Sequence, residues 1–547
     1  MGAEVINSHT MSSPSQTPSL ETLEKEVERR RTFAIISHPD AGKTTLTEKL
    51  LLYGGALLEA GAVKARRQQT HAVSDWMEME KARGISITST VLSFDYNGFR
   101  INLLDTPGHQ DFSEDTYRTL LAADSAVMVL DAARGIQPQT LKLFEVCKRR
   151  QIPLLTFINK MDRPALDPFE LLEEIEKTLG LETYPVNWPL GSGDRFRGVY
   201  DRDNGELHLF ERQAHGGKKA RTEKVAPGDP SVAKIADAET HKDFLEGLEL
   251  LEAGTEMDQE AFHAGRLTPV FFGSALSNFG VQLFLDSFLQ MAPPPPPRIS
   301  EDGTISPTDE QFRAFIFKIQ ADMNPKHRDR VAFLRICSGR FQRGMKARCV
   351  RTGQEVRLNY AQQLFAQERV IVEDAYPGDV IGMTNSSNLI LGDVLCEGPD
   401  VKLEPMPLFS PEHFARINIK DPSRRKHFLK AMDQLCLEGA IQVFFPKDSH
   451  SRDPIIGAVG VLQFEVVQDR LKNDYRVEIE YERMQYQACR WFEGPSDAVD
   501  KFSGSRSTLV CTDLWERTVA LFPGNWDLDF AKEKNPKLIF RSISQVA

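Results

Sequence analysis

The chain has 547 residues, too many for one compact core, with a globular composition of 41% hydrophobic and 27% charged residues. Its net charge of −11 excludes broad electrostatic attraction to nucleic acid, so any RNA-rich partner must be met by local basic patches. No apolar run is long enough to cross a bilayer, and the seven cysteines are scattered without metal-site spacing, which argues against a membrane span and points to a reducing, cytoplasmic compartment.

The first stretch is rich in Ser, Thr and Pro and has no apolar period, so residues 1–22 are expected to be a disordered tail. It lacks the cationic start and apolar core of a secretion signal, and Ile6 sits where a myristoylation motif needs Ser or Thr. A charged helix is predicted from about Leu20 to Arg31. The apolar run Phe33 to Ile36 then reads as a strand, and Thr44 to Leu52 as a helix.

Between that strand and helix lies Ser37-His38-Pro39-Asp40-Ala41-Gly42-Lys43-Thr44-Thr45. This is the strand, loop and helix context of a phosphate-binding loop, although Ser37 stands where the usual pattern opens with glycine. Backbone N–H groups would converge on the phosphates, and Lys43 would neutralise their outer oxygens. The Thr44 hydroxyl would coordinate Mg²⁺. A buried strand, Ile101 to Leu104, leads to Asp105-Thr106-Pro107-Gly108-His109. There the Asp105 carboxylate can hold Mg²⁺ through water, and Gly108 can offer its N–H to a γ-phosphate. Strand Ala126 to Leu130 and the helix around Gln139 to Arg150 continue the alternation. Strand Pro153 to Ile158 then delivers Asn159-Lys160-Met161-Asp162. A carboxylate at Asp162 can accept from guanine N1–H and the 2-amino group. Adenine lacks both donors, so ATP would leave the carboxylate unpaired.

Leu171 to Leu179 is a further predicted helix. The polar stretch after it interrupts the rhythm and reads as an insertion at about 190–262. The pattern resumes at Thr268 to Phe272, and the following Ser274-Ala275-Leu276 turn can bring backbone N–H groups near guanine O6. Helix Gly280 to Met291 closes the unit. The whole is expected to be a P-loop GTPase domain, 23–298, built as a doubly wound α/β sheet with an insertion, binding GTP or GDP with Mg²⁺.

Five prolines, Pro293 to Pro297, mark a boundary as an extended polyproline II linker. Two-residue alternation at Phe312 to Ile319 and Arg330 to Ile336, with later Gly and Asp turns, predicts an antiparallel β-barrel over 305–400. In 401–547 the order is strand His413 to Ile419, helix Ser423 to Cys436, strand Ile441 to Phe445, strand Ile455 to Val459, helix Val461 to Leu471 and strand Tyr475 to Tyr481. That order predicts a ferredoxin-like α+β domain. Residues after Met484 read as mixed strand and helix without a definite order, and no internal repeat is visible. Cys337 and Cys436 lie in apolar patterns and read as packing residues. Lys64 to Arg67, Lys326 to Arg330 and Arg424 to His427 are the basic patches, each open to reading as a solvated face or as an RNA contact.

These motifs resemble those of the translational GTPases, the group that includes elongation factors Tu and G. The stretch Asp75 to Thr88 is similar to their first switch region, with Ser86 where most members carry Thr; a serine keeps the Mg²⁺-binding hydroxyl. Within the group the chain resembles the peptide chain release factor 3 family. The likeness is carried by the Ser-His-Pro opening of the loop, Ser86, Met323 to Arg330, Asp421 to Lys426, Gly457 to Phe464 and Arg470 to Tyr475. It runs from about Arg31 to the C-terminus. Only about 150 residues follow the barrel, room for one further domain and not the three that elongation factor G carries there.

The resemblance implies a monomeric, ribosome-stimulated GTPase that acts in termination and promotes the departure of codon-reading (class I) release factors. It implies that His109 orients the attacking water beside Lys43, and that Pro39 and Ile85 form an apolar gate before this histidine. It also implies that Asp40 holds a monovalent cation beside the phosphates. An elongation factor G-like role, a GTPase of sulfate activation and a ribosome-bound scaffold that does not hydrolyse are the competing readings.

Overall fold

The computed structural model describes residues 20–55, 88–210, 222–254, 256–321, 330–365, 368–384, 388–447 and 453–545. Strand β1, Arg30–Ser37, is buried along its whole length because its apolar residues serve both faces of a sheet. Phe33 and Ile35 pack with helices α2 (Lys43–Tyr53) and α7 (Val281–Met291) on one side. Ala34 and Ile36 face the opposite core, with α3 (Ser113–Ala122), α4 (Pro138–Arg149) and α5 (Pro168–Leu179). Two covered faces are the condition for a parallel sheet. The other strands are β2 (Thr90–Tyr96), β3 (Phe99–Asp105), β4 (Ser125–Asp131), β5 (Leu154–Asn159), β6 (Glu182–Pro185) and β11 (Leu267–Phe272). Their order is β2-β3-β1-β4-β5-β11-β6, parallel throughout except for the β2–β3 hairpin at one edge.

Helix α1 is Leu20–Glu28, so it begins inside the stretch read as tail and ends before the predicted Arg31. Arg30 and Arg31 join the sheet because their guanidiniums have tertiary partners. Arg30 meets Asp379 at 2.8 Å, and Arg31 Nε donates to the Leu289 carbonyl at 3.1 Å. These contacts outweigh a helical preference of a few tenths of a kcal/mol (~0.2–0.7) per residue.

The insertion has a sheet of its own. Strands β7 (Asn187–Leu190), β8 (Gly198–Asp201), β9 (Glu206–Phe210) and β10 (Thr222–Val225) form it in the order β10-β9-β8-β7, followed by helix α6 (Ala238–Glu252). It starts at Asn187, slightly earlier than composition suggested. The proline run is irregular, but Pro295 is buried near Gly378, so it lies against the next unit.

Beyond it, an eight-stranded antiparallel sheet forms a half-barrel whose longest strands are β12 (Arg313–Ala321) and β13 (Arg330–Ser338). Its contact with the GTPase sheet is ionic and buried. Arg335 of β13 grips both oxygens of Asp124 at 2.7 and 2.6 Å, with Arg298 at 3.1 Å from the same carboxylate.

The C-terminal region begins as predicted. Strand β14 (His413–Ile419), helix α8 (Arg425–Leu437), strands β15 (Gln442–Pro446) and β16 (Ile455–Ala458), helix α9 (Leu462–Asn473) and strand β17 (Ile479–Met484) follow the ferredoxin-like order. Strand β17 starts four residues later than the sequence suggested because Arg476, at φ 57°, turns the chain first. The residues after Met484 repeat the same plan. Strand β18 (Ala488–Glu493), helix α10 (Ser496–Asp500), strands β19 (Leu509–Asp513) and β20 (Thr518–Phe522), helix α11 (Asn525–Lys534) and strand β21 (Ile539–Arg541) form a second split unit. In each unit the first strand lies between the third and fourth, and the second strand pairs with the third. The two second strands, β15 and β19, pair antiparallel and fuse the units into one eight-stranded sheet. The expectation of no internal repeat is therefore corrected at the level of topology. The copies share connectivity, not a sequence pattern, which is why reading residues alone missed it.

Candidate nucleotide site

Three loops converge at the C-terminal ends of β1, β3 and β5, where a doubly wound sheet places its ligands. The first runs from Ser37 to Gly42 and enters α2 at Lys43. Asp40 has φ 66° and Gly42 φ 94°, two left-handed turns that wind the backbone around a central hollow. Gly42 must be glycine, because a β-carbon there would lie 2.3 Å from Asn159 Nδ2.

The Lys43 ammonium and the Asp105 carboxylate are both buried and meet at 2.5 Å. Thr44, half-buried, occupies the next helical position, so a hydroxyl-bearing residue follows directly on this cation–carboxylate pair. Thr45 is also half-buried on α2, and Ala41 is fully buried in the core below. Hard oxygen donors of this kind suit Mg²⁺ held jointly with phosphate. The third predicted metal ligand, Ser86, lies outside the described residues, as do Ile85, Lys64 to Arg67 and Met323 to Asp329.

The third loop braces the first. Asn159 Nδ2 donates to the Ala41 carbonyl at 2.8 Å, and its Oδ1 accepts from the Ala275 N–H at 2.9 Å. Lys160, held at φ 70°, donates to the Asp40 carbonyl and to Asp131 Oδ2 at 2.8 Å. Burial alone would raise the Asp131 carboxyl, but the Lys160 hydrogen bond and the Ala133 N–H outweigh it and hold it below the usual range. Asn159 and Lys160 thus tie the phosphate loop to the Ser274-Ala275 turn. Met161 is fully buried beneath them. Asp162 is different: its Oδ1 is buried and has no hydrogen-bond partner among the described residues. An orphaned buried acceptor is costly, so a group that donates a hydrogen bond to this oxygen would be favoured there. Leu276, 58% exposed, stands at the rim.

At the second loop, the Thr106 hydroxyl donates to the Ile35 carbonyl at 2.6 Å and pins the turn to β1. Pro107 is buried, and Gly108 lies beside the exposed Pro39. His109 is half-buried, with Nδ1 accepting from the Asp111 N–H at 3.3 Å. His38, within the first loop, is buried; burial pushes its imidazole pKa down, and Ser37 Oγ donates to its carbonyl at 3.0 Å. Asp40 is exposed at the tip.

Sequence reasoning missed Asp131, although it ends a buried parallel strand as Asp105 and Asn159 do. It also missed Asp111, Glu114, Asp115 and Arg118, each of which contacts a residue distant in sequence. Asp115 accepts from the Ser89 N–H at 2.7 Å, and Lys318 of the half-barrel donates to the Ser89 hydroxyl at 2.9 Å. Burial opposes ionisation of Asp115, but Lys318 and the Ser89 donors prevail and hold its carboxyl low.

Three loops gathered at the ends of parallel strands, the first entering a helix at a Gly-Lys-Thr turn, beside an antiparallel half-barrel, are the architecture of GTP-binding proteins of the translational class. Family comparison agrees along the chain. Residues 28–294 match the elongation factor Tu GTP binding domain, residues 311–398 elongation factor G domain 2, and residues 403–532 the class II release factor RF3 C-terminal domain. The peptide chain release factor 3 of Microcystis aeruginosa is 56% identical over 96% of this chain and 97% of its own length. That of Symbiobacterium thermophilum is 53% identical over 96% of this chain and all of its own. A crystal structure of a Thermus thermophilus protein aligns with a TM-score of 0.67, covering 89% of this chain and 72% of that one at 24% identity, which shows the shared fold. The chain belongs to the peptide chain release factor 3 family, GTP-binding factors of translation termination.

Proposed function

We propose that this chain hydrolyses GTP under ribosome stimulation and, in its GTP form, favours a ribosome conformation that grips class I release factors poorly. Such a shift requires that the GTP form bind one ribosome state more tightly than the other. Hydrolysis then lowers its affinity and releases it. Asp162 reads guanine, Lys43 and the 37–42 loop hold the phosphates, and Thr44, Ser86 and Asp105 would hold Mg²⁺, which supplies charge neutralisation at the phosphates. His109 orients the attacking water, so that the protein contributes position and electrostatics to a loose transition state. Asp40, exposed at the loop tip, is where a monovalent cation would sit. We assign residues 23–298 to the GTPase unit, 305–400 to the half-barrel and 401–547 to the C-terminal α+β unit, with the chain acting as a monomer.

The observation that carries this reading is the C-terminal region. Its tandem sheet sits against the segment that follows His109, so a ribosome contact made there reaches the hydrolytic loop. The Arg424 to His427 patch is exposed at the start of α8 and offers cations to ribosomal RNA. The chain holds no Gly-Gly-Gln tripeptide, the motif by which codon-reading factors release the peptide. The test is stopped-flow dissociation of a labelled class I factor from post-termination ribosomes with this protein and GTP. Acceleration is expected. No acceleration, with stimulated movement of tRNA and mRNA instead, would place the chain with the elongation factors.

A further inference from the structure

Asp111, Glu114 and Arg118 fall at i, i+3 and i+7 across the start and body of α3, one face of the helical path. All three point into the C-terminal region. Arg118 donates to the Gly439 carbonyl at 3.2 Å, and Glu114 accepts from the Phe409 N–H at 3.2 Å. Asp111 makes the closest approach. Its Oδ2 accepts from the Leu462 N–H at 2.7 Å, and a β-carbon on Gly460 would stand 2.1, 2.3 and 2.5 Å from its Cγ, Cβ and Cα. Gly460 is therefore glycine for access and not for its backbone angles.

Leu462 is the first residue of α9, and the residue before it, Val461, has no side chain able to cap. The first N–H groups of a helix need an acceptor, and a carboxylate there also favours the helix dipole. Asp111 supplies that acceptor from another unit of the chain. Gln463 fixes the geometry from below, its Oε1 accepting from the N–H groups of Val459 at 2.8 Å and Gly460 at 3.1 Å. The other oxygen of Asp111 lies 3.3 Å from His109 Nδ1, which donates to that carboxylate in the Nδ1–H tautomer and accepts from the Asp111 N–H in the other, so either tautomer ties the ring to this residue. The Phe112 ring stands 6.2 Å from the imidazole. One side chain touches both the helix of the C-terminal region and the histidine of the second loop.

We propose that Asp111 is a positioning residue: by capping α9 across the domain boundary it holds the 109–112 turn, and with it the His109 ring, on the side of the C-terminal region and away from the water it must orient. Displacing the C-terminal region breaks the cap and frees the histidine. The proposal rests on the water-orienting role of His109. It adds the physical link by which docking of the C-terminal region sets the hydrolytic rate.

The variant that isolates the link is Gly460→Ala, which forces Asp111 and Leu462 apart from outside the nucleotide site. In the full-length protein without ribosomes, hydrogen exchange at the Leu462 amide should accelerate. Single-turnover GTP hydrolysis should rise on the order of ten-fold, the shift that loss of one charge-assisted hydrogen bond gives a docking equilibrium, with nucleotide affinity unchanged. The rise should vanish in Gly460→Ala combined with His109→Ala. Faster Leu462 exchange with an unchanged or lower rate would overturn the proposal, and so would unaltered exchange. A rate that rises equally with and without His109 would instead remove the water-orienting role itself. Should Gly460→Ala fail to fold, Asp111→Ala takes its place with the same readouts, and protection of the Leu462 amide in that variant would equally end the proposal.

Discussion

Lys160 Nζ lies 2.8 Å from Asp131 Oδ2 and also donates to the Asp40 carbonyl, so the lysine of the third loop is a clamp on the first. Asp131 is buried beneath it and ends β4, between the strands that carry the two loops. The left-handed turn at Asp40 is held open by this clamp and by Asn159. Lys160→Met should therefore weaken GDP and GTP alike, although it removes no predicted base contact. Loss of a hydrogen bond from a charged donor, about 1.5–3 kcal/mol, corresponds to roughly 10–100-fold in affinity. Titration with a fluorescent nucleotide checks it, and a loss confined to GTP would contradict the clamp.

Base choice tests the orphaned oxygen. Asp162→Asn should lower GTP affinity by about two orders of magnitude and admit xanthosine triphosphate, because an amide can donate to the carbonyl that replaces the 2-amino group. Competition between the two nucleotides is the measurement; unchanged preference for GTP would show that the buried Oδ1 faces something else.

Binding and chemistry should separate at the second loop. His109→Ala is expected to keep GTP affinity while cutting ribosome-stimulated turnover by ~10²-fold or more, since the group acts in the transition state. Lys43→Ala, which also leaves the buried Asp105 without its cation, should lose nucleotide binding itself. A His109→Ala protein with weak binding and normal saturated turnover would refute the assignment.

The core of the nucleotide unit was legible because its signals are local. Runs such as Phe33 to Ile36 and Ala126 to Leu130 declare buried parallel strands, and the loops that follow carry their own chemistry. What escaped depends on contacts distant in sequence. Asp131, Asp111 and Asp124 look like ordinary strand-end or turn acids until the fold brings Lys160, Leu462 and Arg335 to them. The second split unit after Met484 was hidden for a related reason: its short strands, such as β19 and β21, are set by pairing with neighbours, and pairing partners leave no periodic trace of their own. The early end of α1 is the same effect in miniature, with Asp379 drawing Arg30 into the sheet.

The join between the GTPase sheet and the half-barrel should prove costly to break from one side. Arg335 and Asp124 are each 1% exposed at the side chain and share a two-point contact. Arg335→Met leaves Asp124 buried with the single ion pair to Arg298, at 3.1 Å, among the described residues. A loss of about 3 kcal/mol or more is expected, the range found when one member of a buried pair is removed. Denaturant unfolding followed separately by probes in the two units would show it; a cost below about 1 kcal/mol would mean the join depends on its apolar contacts instead.

Acid should loosen the same join through Asp379. Its carboxylate meets Arg30 at 2.8 Å and accepts from the Tyr376 N–H at 2.9 Å and from Asn102 at 3.2 Å. Burial alone would raise this carboxyl; Arg30 outweighs burial and holds it below the ordinary aspartate value of 3.8. A lowered folded-state pKa means that the unfolded chain binds the proton more readily. The contribution is therefore present above the unfolded value and is lost as pH falls through the folded one. Wild-type stability should accordingly drop below about pH 4, while Asp379→Asn, already weakened at neutral pH, should fall less over the same interval. Urea midpoints for both proteins between about pH 6 and pH 3 decide the matter. Parallel curves would show that Asp379 is not the group whose protonation opens the interface.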